Sequence, residues 1–236
     1  MNPLRQLYAR TPPRQPHWKD NSDAAYINCT LLELSISGLA NRLSGNIIDV
    51  GCGQQPYRQY FEHAATRTAC DFDAGRGDVD FACPAHDIPR PAESFDGVLC
   101  TEVLEHVPDP DAVWHEFFRI LRPGGCVLLS APMYWPSHEV PYDFYRFPEQ
   151  GLRHLAESAG FKVDQVIPRG GMWAFLGQAG MHVIHHYLPL RIMRRAWNWL
   201  FLTIDRWRCN PTITIGWTIL AVKPLNGGAS GEPNDQ

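Results

Sequence analysis

Short apolar runs alternate along this chain with longer segments in which apolar residues recur every three or four positions. Strands buried on both faces give the first pattern, and amphipathic helices give the second. Most of the apolar runs stop at glycine, proline or an acidic residue, which favour turns. The pattern predicts helices within 22–43, 57–65, 110–121 and 152–159, and strands at 47–50, 66–72, 79–82, 97–101, 126–131, 161–167 and 212–222.

The helix that begins at Pro110 has the clearest boundary. Asp109 can accept backbone N–H groups as an N-cap, and Pro110 suits the first helical position because its missing N–H is not needed there. Strands that alternate with helices indicate an α/β protein with a Rossmann-like, seven-stranded, mostly parallel sheet and helices on both faces. Ligands of such sheets bind beyond the carboxyl ends of the strands, so we expect the functional residues directly after them.

The composition is that of an ordinary soluble domain. The chain has 236 residues, 44% of them hydrophobic, and a net charge of −4, which gives no overall footprint for nucleic acid. Its apolar runs are shorter than the roughly 18 residues of a membrane span, and its first 16 residues lack the apolar core of a leader peptide. Seven cysteines without a C-x-x-C pair indicate buried thiols in a reducing compartment. We therefore expect a cytoplasmic protein that binds no nucleic acid and no metal.

A glycine turn follows the strand at 47–50. Gly51 and Gly53 let the backbone bend sharply and approach a ligand without a Cβ clash, and Asp49 can hold the turn or an ammonium group. A dinucleotide-binding turn would have a third glycine at position 56, where this chain has Pro56. The turn therefore argues against a nicotinamide-dependent oxidoreductase.

A carboxylate and an aromatic ring follow the second strand. Asp71 lies 22 residues after the acid of the glycine turn, close to the spacing of a carboxylate that accepts the two ribose hydroxyls of a nucleotide. Phe72 beside it could pack on a base. A solvated loop acid is the alternative, and the glycine turn makes the ribose interpretation the stronger one.

Three stretches in this order carry a specific pattern. They are DVGCG at 49–53, PAHDIPRPAESFDGVLCTEVLEHVPDPDAV at 84–113 and ILRPGGCVLLSAP at 120–132. Together they resemble the class I S-adenosylmethionine-dependent methyltransferases, particularly the type-11 group, which has patterns like DVGCGxG, GDAxxLPFPDxSFDxV and EVLEHVxDP…LRPGG. The match covers about residues 46–168 and implies S-adenosyl-L-methionine as the cofactor.

The resemblance implies a role for each matching position. The glycine turn would line the methionine part of the cofactor, and the acid and ring after the second strand would hold ribose and adenine. Ala85 and His86 would lie along the adenine edge, and Thr101 and Glu102 would close the site after the fourth strand. The implied cofactor-binding set is Asp49, Gly51, Cys52, Gly53, Asp71, Phe72, Ala85, His86, Thr101 and Glu102.

Two positions depart from the type-11 pattern. Gln55 replaces the third glycine of the turn, and Cys83-Pro84-Ala85 stands where the group often has GDA. Pro84 offers neither a side-chain acceptor nor a backbone N–H. Recognition of the adenine amino group is then left to the backbone of Ala85 or His86, or to Asp87.

The stretch YWPSHEVPYDFYRF, residues 134–147, follows the fifth strand, where an acceptor would enter. Methyl transfer is an in-line displacement at a sulfonium, so the enzyme chiefly positions the acceptor, and a hydroxyl acceptor must also lose a proton. We predict His138 or Asp143 as the base. A structural turn in which Asp143 pairs with Arg146 is the alternative. The residues predicted to contact the acceptor are Trp135, Tyr142, Tyr145 and Arg146.

The segment 172–209 is predicted to be a helical insertion between the sixth and seventh strands. Within 181–208, five arginines and one aspartate are interleaved with aromatic residues. A lid over the acceptor site is the first interpretation; a dimer face and a peripheral membrane contact are the others. His182, His185 and His186 share one helix face, but no acid lies nearby, so we do not interpret them as a metal site.

The sequence thus predicts a methyltransferase domain at 22–225, preceded by an arm or lid at 1–21 and followed by a disordered tail at 226–236. The expected reaction is direct transfer of a methyl group to a small-molecule acceptor, at oxygen. The alternative is a non-catalytic module that binds a membrane or a partner and retains the fold. Gln55, Pro84 and the basic, aromatic insertion support that alternative.

Overall fold

The computed structural model describes residues 20–75, 77–185, 187, 190–208 and 210–225. Residues 1–19 of the predicted arm and all of the predicted tail at 226–236 lie outside this part. The helices are α1 (Tyr26–Leu39), α2 (Pro110–Ile120), α3 (Glu149–Ser158), α4 (Met172–Ile184) and α5 (Arg191–Trp207). The strands are β1 (Asn46–Val50), β2 (Thr66–Asp71), β3 (Phe81–Ala82), β4 (Phe95–Thr101), β5 (Leu121–Pro132), β6 (Lys162–Pro168) and β7 (Gly216–Val222).

The seven strands form one sheet in the order β3-β2-β1-β4-β5-β7-β6. The first five pair in parallel, and β7 runs antiparallel to both β5 and β6. From β1 the chain continues to β2 on one side, and it later returns to β4 on the other. The order reverses at this point, which opens a crevice beyond the carboxyl ends of β1 and β4. The predicted Rossmann-like, mostly parallel sheet is confirmed.

Helices cover both faces of the sheet. On one face α2 and α3 bury Trp114, Phe117 and Leu152 against the strands. On the other face α1 buries Leu32 and Ile36, next to the inward faces of β1, β4 and β5. Burial of these apolar side chains is the dominant contribution to the stability of both layers.

The boundaries of α2 agree with the sequence prediction at its start. The Asp109 carboxylate accepts the N–H of Ala112 at 3.1 Å, and Pro110 is the first helical residue. The helix ends at Ile120, one residue before the end of the predicted range at 121. The next residue, Leu121, is already extended and pairs with Phe95 of β4, so β5 begins earlier than the pattern indicates.

The predicted helix at 57–65 is a single 3₁₀ turn, Arg58–Phe61. After this turn the chain returns to the edge of the sheet where β1 begins. The N–H of Ala65 donates to the carbonyl of Gly45 at 2.8 Å, which fixes the entry into β2 directly beside the start of β1.

The predicted insertion is a pair of helices, α4 and α5, packed closely against each other. A Cβ added at Gly177 would lie 2.5 Å from the Cβ of Phe201, and one at Gly180 would lie 2.6 Å from the Trp197 ring. The Trp197 indole N–H donates to the Gly177 carbonyl at 2.9 Å. Within the described residues, no helix is both long enough and apolar enough to cross a membrane.

Candidate active site

The glycine turn after β1 places its two glycines in different surroundings. Both have positive φ, +67° at Gly51 and +52° at Gly53. A Cβ at Gly51 would lie 2.3 Å from a methyl of Val103, whereas a Cβ at Gly53 would meet nothing within 4 Å. Packing therefore requires the first glycine, and the second leaves open space in which a ligand can approach the backbone.

Gln55 has a backbone conformation that favours glycine. Its φ is +51°, in the left-handed region that is costly for residues with a side chain. Its side-chain amide donates to the carbonyl of Asp78 at 2.5 Å. At this departure from the type-11 pattern the backbone is still left-handed, and the glutamine side chain ties the turn to the segment before β3.

Asp71 lies at the end of β2 and connects two loops. It is 6% exposed, and its carboxylate accepts the N–H of Gly53 at 2.9 Å and the N–H of Asp73 at 3.1 Å. A carboxylate has about four acceptor positions, so two remain for hydroxyl groups. Phe72, the next residue, is 49% exposed, which leaves its ring available to a planar ligand beside the carboxylate.

Asp49 is a carboxylate without a partner in the same crevice. Its Oδ1 is buried and accepts no hydrogen bond. Burial, together with the negative charge of Asp71, raises the pKa of Asp49 to about 7. A buried acceptor without a donor is costly, and a ligand that carries a positive charge would remove this cost.

The remaining residues of the predicted cofactor set lie at the same edge of the sheet. Cys83 N–H donates to the Asp71 carbonyl at 3.0 Å, which carries the chain past β3 to Ala85 and His86. Ala85 is 8% exposed and belongs to the core, whereas the His86 side chain is exposed. Thr101 ends β4, half-buried. Because Pro84 has no backbone N–H, the backbone of Ala85 and His86 supplies the hydrogen-bonding groups of this segment toward an adenine.

Glu102 is held by an arginine that the sequence analysis missed. The Arg169 guanidinium donates to both carboxylate oxygens of Glu102, at 2.8 and 2.9 Å, and to the side-chain oxygen of Asn28 at 2.9 Å. Arg169 is fully buried and Ser130 adds a hydroxyl donor to Glu102 at 2.9 Å. Arg169 follows β6, more than 60 residues further along the chain, and no local motif indicates the pairing.

A second cluster lies in the loop after β4 and joins it to the acceptor loop at 134–147. The His106 ring donates through Nδ1 to the Tyr142 carbonyl at 2.6 Å, and its centre lies 4.7 Å from that of the His138 ring. Glu105 is 1% exposed, and one ligating atom from each of Glu105, His106 and His138 falls within 4.8 Å of the others. Burial, followed by the charge of His106, lowers the pKa of His138.

Asp143 and Arg146 form the ion pair of the structural alternative. The guanidinium donates to both oxygens of Asp143 at 2.6 and 3.0 Å, and also to the carbonyls of Trp135, Pro136 and Tyr145. All five N–H groups of Arg146 are therefore used inside the loop. The Arg146 bonds hold the pKa of Asp143 well below its usual range, which makes this carboxylate a weak base. Neither group is left to act on an acceptor.

The predicted aromatic contacts are divided between the loop and α4. Tyr145 donates its hydroxyl to the Pro108 carbonyl at 2.9 Å, so this group supports the loop. The Trp135 ring meets His182 of α4 edge-on at 4.6 Å, and it packs on the small core beside that helix. Tyr142 is half-buried. The loop and α4 thus form one aromatic wall.

The crevice fits S-adenosylmethionine. The unpartnered Asp49 offers a negative group to its ammonium or sulfonium charge, and the open space at Gly53 lets its methionine part approach the backbone. Asp71 has acceptor positions for the ribose, and Phe72 offers a ring face for the adenine. These four residues come from the ends of two neighbouring strands.

Comparisons with known proteins agree with this geometry. A family model described as a methyltransferase domain matches residues 22–166. A probable S-adenosylmethionine-dependent methyltransferase of Mycolicibacterium smegmatis is 31% identical over 152 residues, covering 57% of this chain and 59% of that protein. A ubiquinone biosynthesis O-methyltransferase of Paracidovorax citrulli is 35% identical over 112 residues, covering 40% and 47%. The chain spans about half the length of the curated relatives it matches.

Solved structures share the fold at lower identity. The 1,6-didemethyltoxoflavin-N1-methyltransferase of Burkholderia thailandensis, solved with 1,6-didemethyltoxoflavin and S-adenosylhomocysteine bound, superimposes with a TM-score of 0.56. The two chains are 16% identical, and the match covers 94% of this chain and 87% of the other. This likeness concerns the arrangement of the sheet and helices.

Proposed function

Because this chain belongs to the family of S-adenosylmethionine-dependent methyltransferases, we propose that it methylates a hydroxyl oxygen of a small, largely apolar acceptor. When bound, S-adenosylmethionine supplies a methyl group activated on a sulfonium. The observation that carries the choice of oxygen is the His106–His138 pair, which joins the loop after β4 to the acceptor loop beside the buried carboxyl of Glu105. A hydroxyl needs a proton acceptor during transfer, and these residues supply one.

His138 is the residue that we assign to this role. The lowered pKa keeps its imidazole neutral near pH 7, and a neutral imidazole has a free lone pair for a proton. Its Nδ1 is buried, makes no hydrogen bond and lies 3.7 Å from an oxygen of Asp143, so the ring is held near that carboxylate without a structural hydrogen bond. Asp143 instead holds the loop and accepts the backbone N–H of His138 at 3.1 Å, which positions the ring.

The aromatic wall formed by the acceptor loop and α4 supports the apolar character of the acceptor. Tyr134 meets Phe175 at 4.9 Å between ring centres, and Trp135 meets His182 at 4.6 Å. Rings from the acceptor loop therefore pack against rings from α4. Flat rings give a large contact area with an aromatic acceptor at low cost in side-chain entropy. The related O-methyltransferase from quinone biosynthesis is consistent with this class of acceptor.

The first prediction concerns His138→Gln. Transfer of labelled methyl groups from S-adenosylmethionine to a panel of small phenols should show an O-methylated product, and the substitution should lower kcat by about 10²- to 10⁴-fold. The affinity for S-adenosylhomocysteine, measured by calorimetry, should not change. His115→Gln, on the exposed side of α2, is the control and should keep full activity.

Two outcomes would contradict this assignment. Faster transfer to amines than to phenols would place the methyl group on nitrogen. Loss of activity in EDTA with recovery on adding a divalent cation would show that Glu105, His106 and His138 bind a metal ion, and that His138 is not the proton acceptor.

A further inference from the structure

Helix α5 buries two polar side chains, Asn198 and Asp205, while several of its large apolar side chains are exposed. Asn198 is fully buried and donates to the backbone carbonyls of Asn21 and Asp23 at 2.9 and 3.1 Å. Asp205 is 5% exposed and accepts the N–H groups of Gly171 and Ala174 at the start of α4. The polar face of the helix is therefore fixed inward by specific hydrogen bonds, and the opposite face must point to solvent.

The outward face of α5 is a stripe of large apolar residues. Ile192 is 71% exposed, Trp199 is 63% exposed and Trp207 is 81% exposed. Their spacings of seven and eight residues put them on one side of the helix. Met193 and Leu200 are exposed next to them, and Tyr187, before the helix, is 79% exposed. A continuous exposed stripe of this kind marks an interaction surface.

Arginines border the stripe along one edge. Arg195 and Arg206 lie on the exposed side of the helix, within about 60° of Trp199 around its axis. Arg195 and Arg191 contact Asp20, which neutralises part of their charge. An apolar stripe with arginines at its edge is the arrangement of helices that lie in the boundary between lipid headgroups and acyl chains.

Basic residues are concentrated in two segments of the chain, and one of these segments includes α5. Residues 181–208 contain five basic residues and one acidic residue, and residues 1–19 contain four basic residues and no acidic residue. The other residues together contain 12 basic and 24 acidic residues. Asp20, which directly follows the first of these basic segments in the sequence, contacts Arg191 and Arg195 of α5. Such polarity favours an anionic partner at this surface and disfavours contacts elsewhere.

We propose that the exposed face of α5 docks on an anionic lipid bilayer. The basic segments match the negative surface of such a membrane, and tryptophan and arginine suit its interface. A nucleic acid would use the charge but would leave Ile192, Met193 and Leu200 without a role. A like-charged segment at 1–19 is poorly suited to cover the stripe.

Docking on this face would bring the acceptor loop to the membrane. Helix α4 joins the two, because it packs on α5 through Gly177 and Gly180 and meets Trp135 through His182. The two helices touch directly, since a Cβ at Gly177 or Gly180 would already collide with α5. An acceptor that resides in the bilayer could then reach the aromatic wall. This last step rests on the proposed function, whereas the docking of α5 on the bilayer does not.

The test is co-sedimentation of the full chain with vesicles. We expect binding to vesicles of phosphatidylcholine with 30% phosphatidylglycerol in low salt. Binding to vesicles of phosphatidylcholine alone should be weaker by about tenfold or more. Arg206→Gln should reduce binding to the anionic vesicles about fivefold, the usual contribution of one basic residue. Trp199→Gln combined with Trp207→Gln should reduce it at least tenfold, because the exposed rings supply the apolar contact.

Matched controls separate this surface from general effects. Leu34→Gln removes an exposed apolar side chain of α1, and Arg67→Gln removes an exposed arginine of β2; both should bind vesicles as the unchanged protein does. Calorimetry with S-adenosylhomocysteine, measured on every variant, shows independently whether the cofactor site is intact. Equal sedimentation of the double tryptophan variant would overturn the proposal. So would a dimer in light scattering that this variant dissociates, which would assign the stripe to a second copy.

Discussion

At the scale of single residues, Asp49 places ligand binding and stability in opposition. Below about pH 4 its carboxyl is protonated in both the folded and unfolded states and contributes nothing. Between pH 4 and about 7 the folded state keeps a proton that the unfolded state has released, because burial and Asp71 raise the pKa of Asp49 to about 7. The free energy of unfolding therefore falls as the pH rises through this window and is lowest above it.

We predict that Asp49→Asn stabilises the protein without ligand at pH 8 by roughly 2–4 kcal/mol, and much less at pH 4. Urea denaturation at both pH values measures this difference. The same substitution should weaken binding of S-adenosylmethionine, because it removes the charge that faces the cation. A variant that is stabilised equally at both pH values would contradict the assignment of the effect to ionisation.

Asp96→Asn is the matched control, and its expected effect on the free energy of unfolding at pH 8 is opposite to that of Asp49→Asn. Burial alone would raise the pKa of Asp96, but the Arg122 guanidinium at 2.8 Å and the N–H of Asn46 at 2.7 Å hold it below its usual value. Its stabilising contribution is present above about pH 4 and is lost as the pH falls through the lower, folded-state pKa. The substitution should therefore destabilise the protein at pH 8.

At the scale of elements, the start of α4 depends on a side chain from another helix. No residue of α4 caps its own N-terminus; Asp205 of α5 accepts the N–H groups of Gly171 and Ala174 at 3.0–3.1 Å. We predict that Asp205→Ala costs about 2–3 kcal/mol in urea denaturation, because two buried donors lose their acceptor. Asp109→Ala, at the exposed cap of α2, should cost about 1 kcal/mol. Equal losses would show that solvent replaces Asp205.

The elements also show how far the sequence predicts the fold. The strands and the start of α2 were predictable because apolar periodicity and the capping signal at Asp109 are local. The orientation of α5 was not, because an amphipathic pattern identifies two faces without indicating which one is buried. That choice depends on the backbone carbonyls of Asn21 and Asp23 and on the start of α4, which only the folded chain brings to Asn198 and Asp205.

At the scale of the whole molecule, a buried polar network connects the cofactor crevice to the helical insertion. Glu102 bonds to Arg169, Arg169 to Asn28, and the N–H of Asn28 to the side-chain oxygen of Gln178 in α4 at 3.0 Å. The sequence predicted Glu102 from its motif, because the motif is contiguous. Arg169 and Gln178 carry no such signal, since their partners lie 67 and 150 residues away in the chain.

The network predicts strong coupling between Arg169 and Glu102. Arg169→Met should cost about 3–5 kcal/mol in urea denaturation, because it leaves a partly buried carboxylate without its counter-ion. Adding Glu102→Leu removes that charge, so the double variant should lose at least about 1 kcal/mol less than the sum of the single losses. The ion pair of Arg42 and Asp164 is the comparison, at a similar distance of 2.9 Å but with both side chains more than 40% exposed. Its coupling should stay below about 1 kcal/mol. Additive losses at Arg169 and Glu102 would mean that water already screens this pair, and that the crevice and the insertion are stabilised independently.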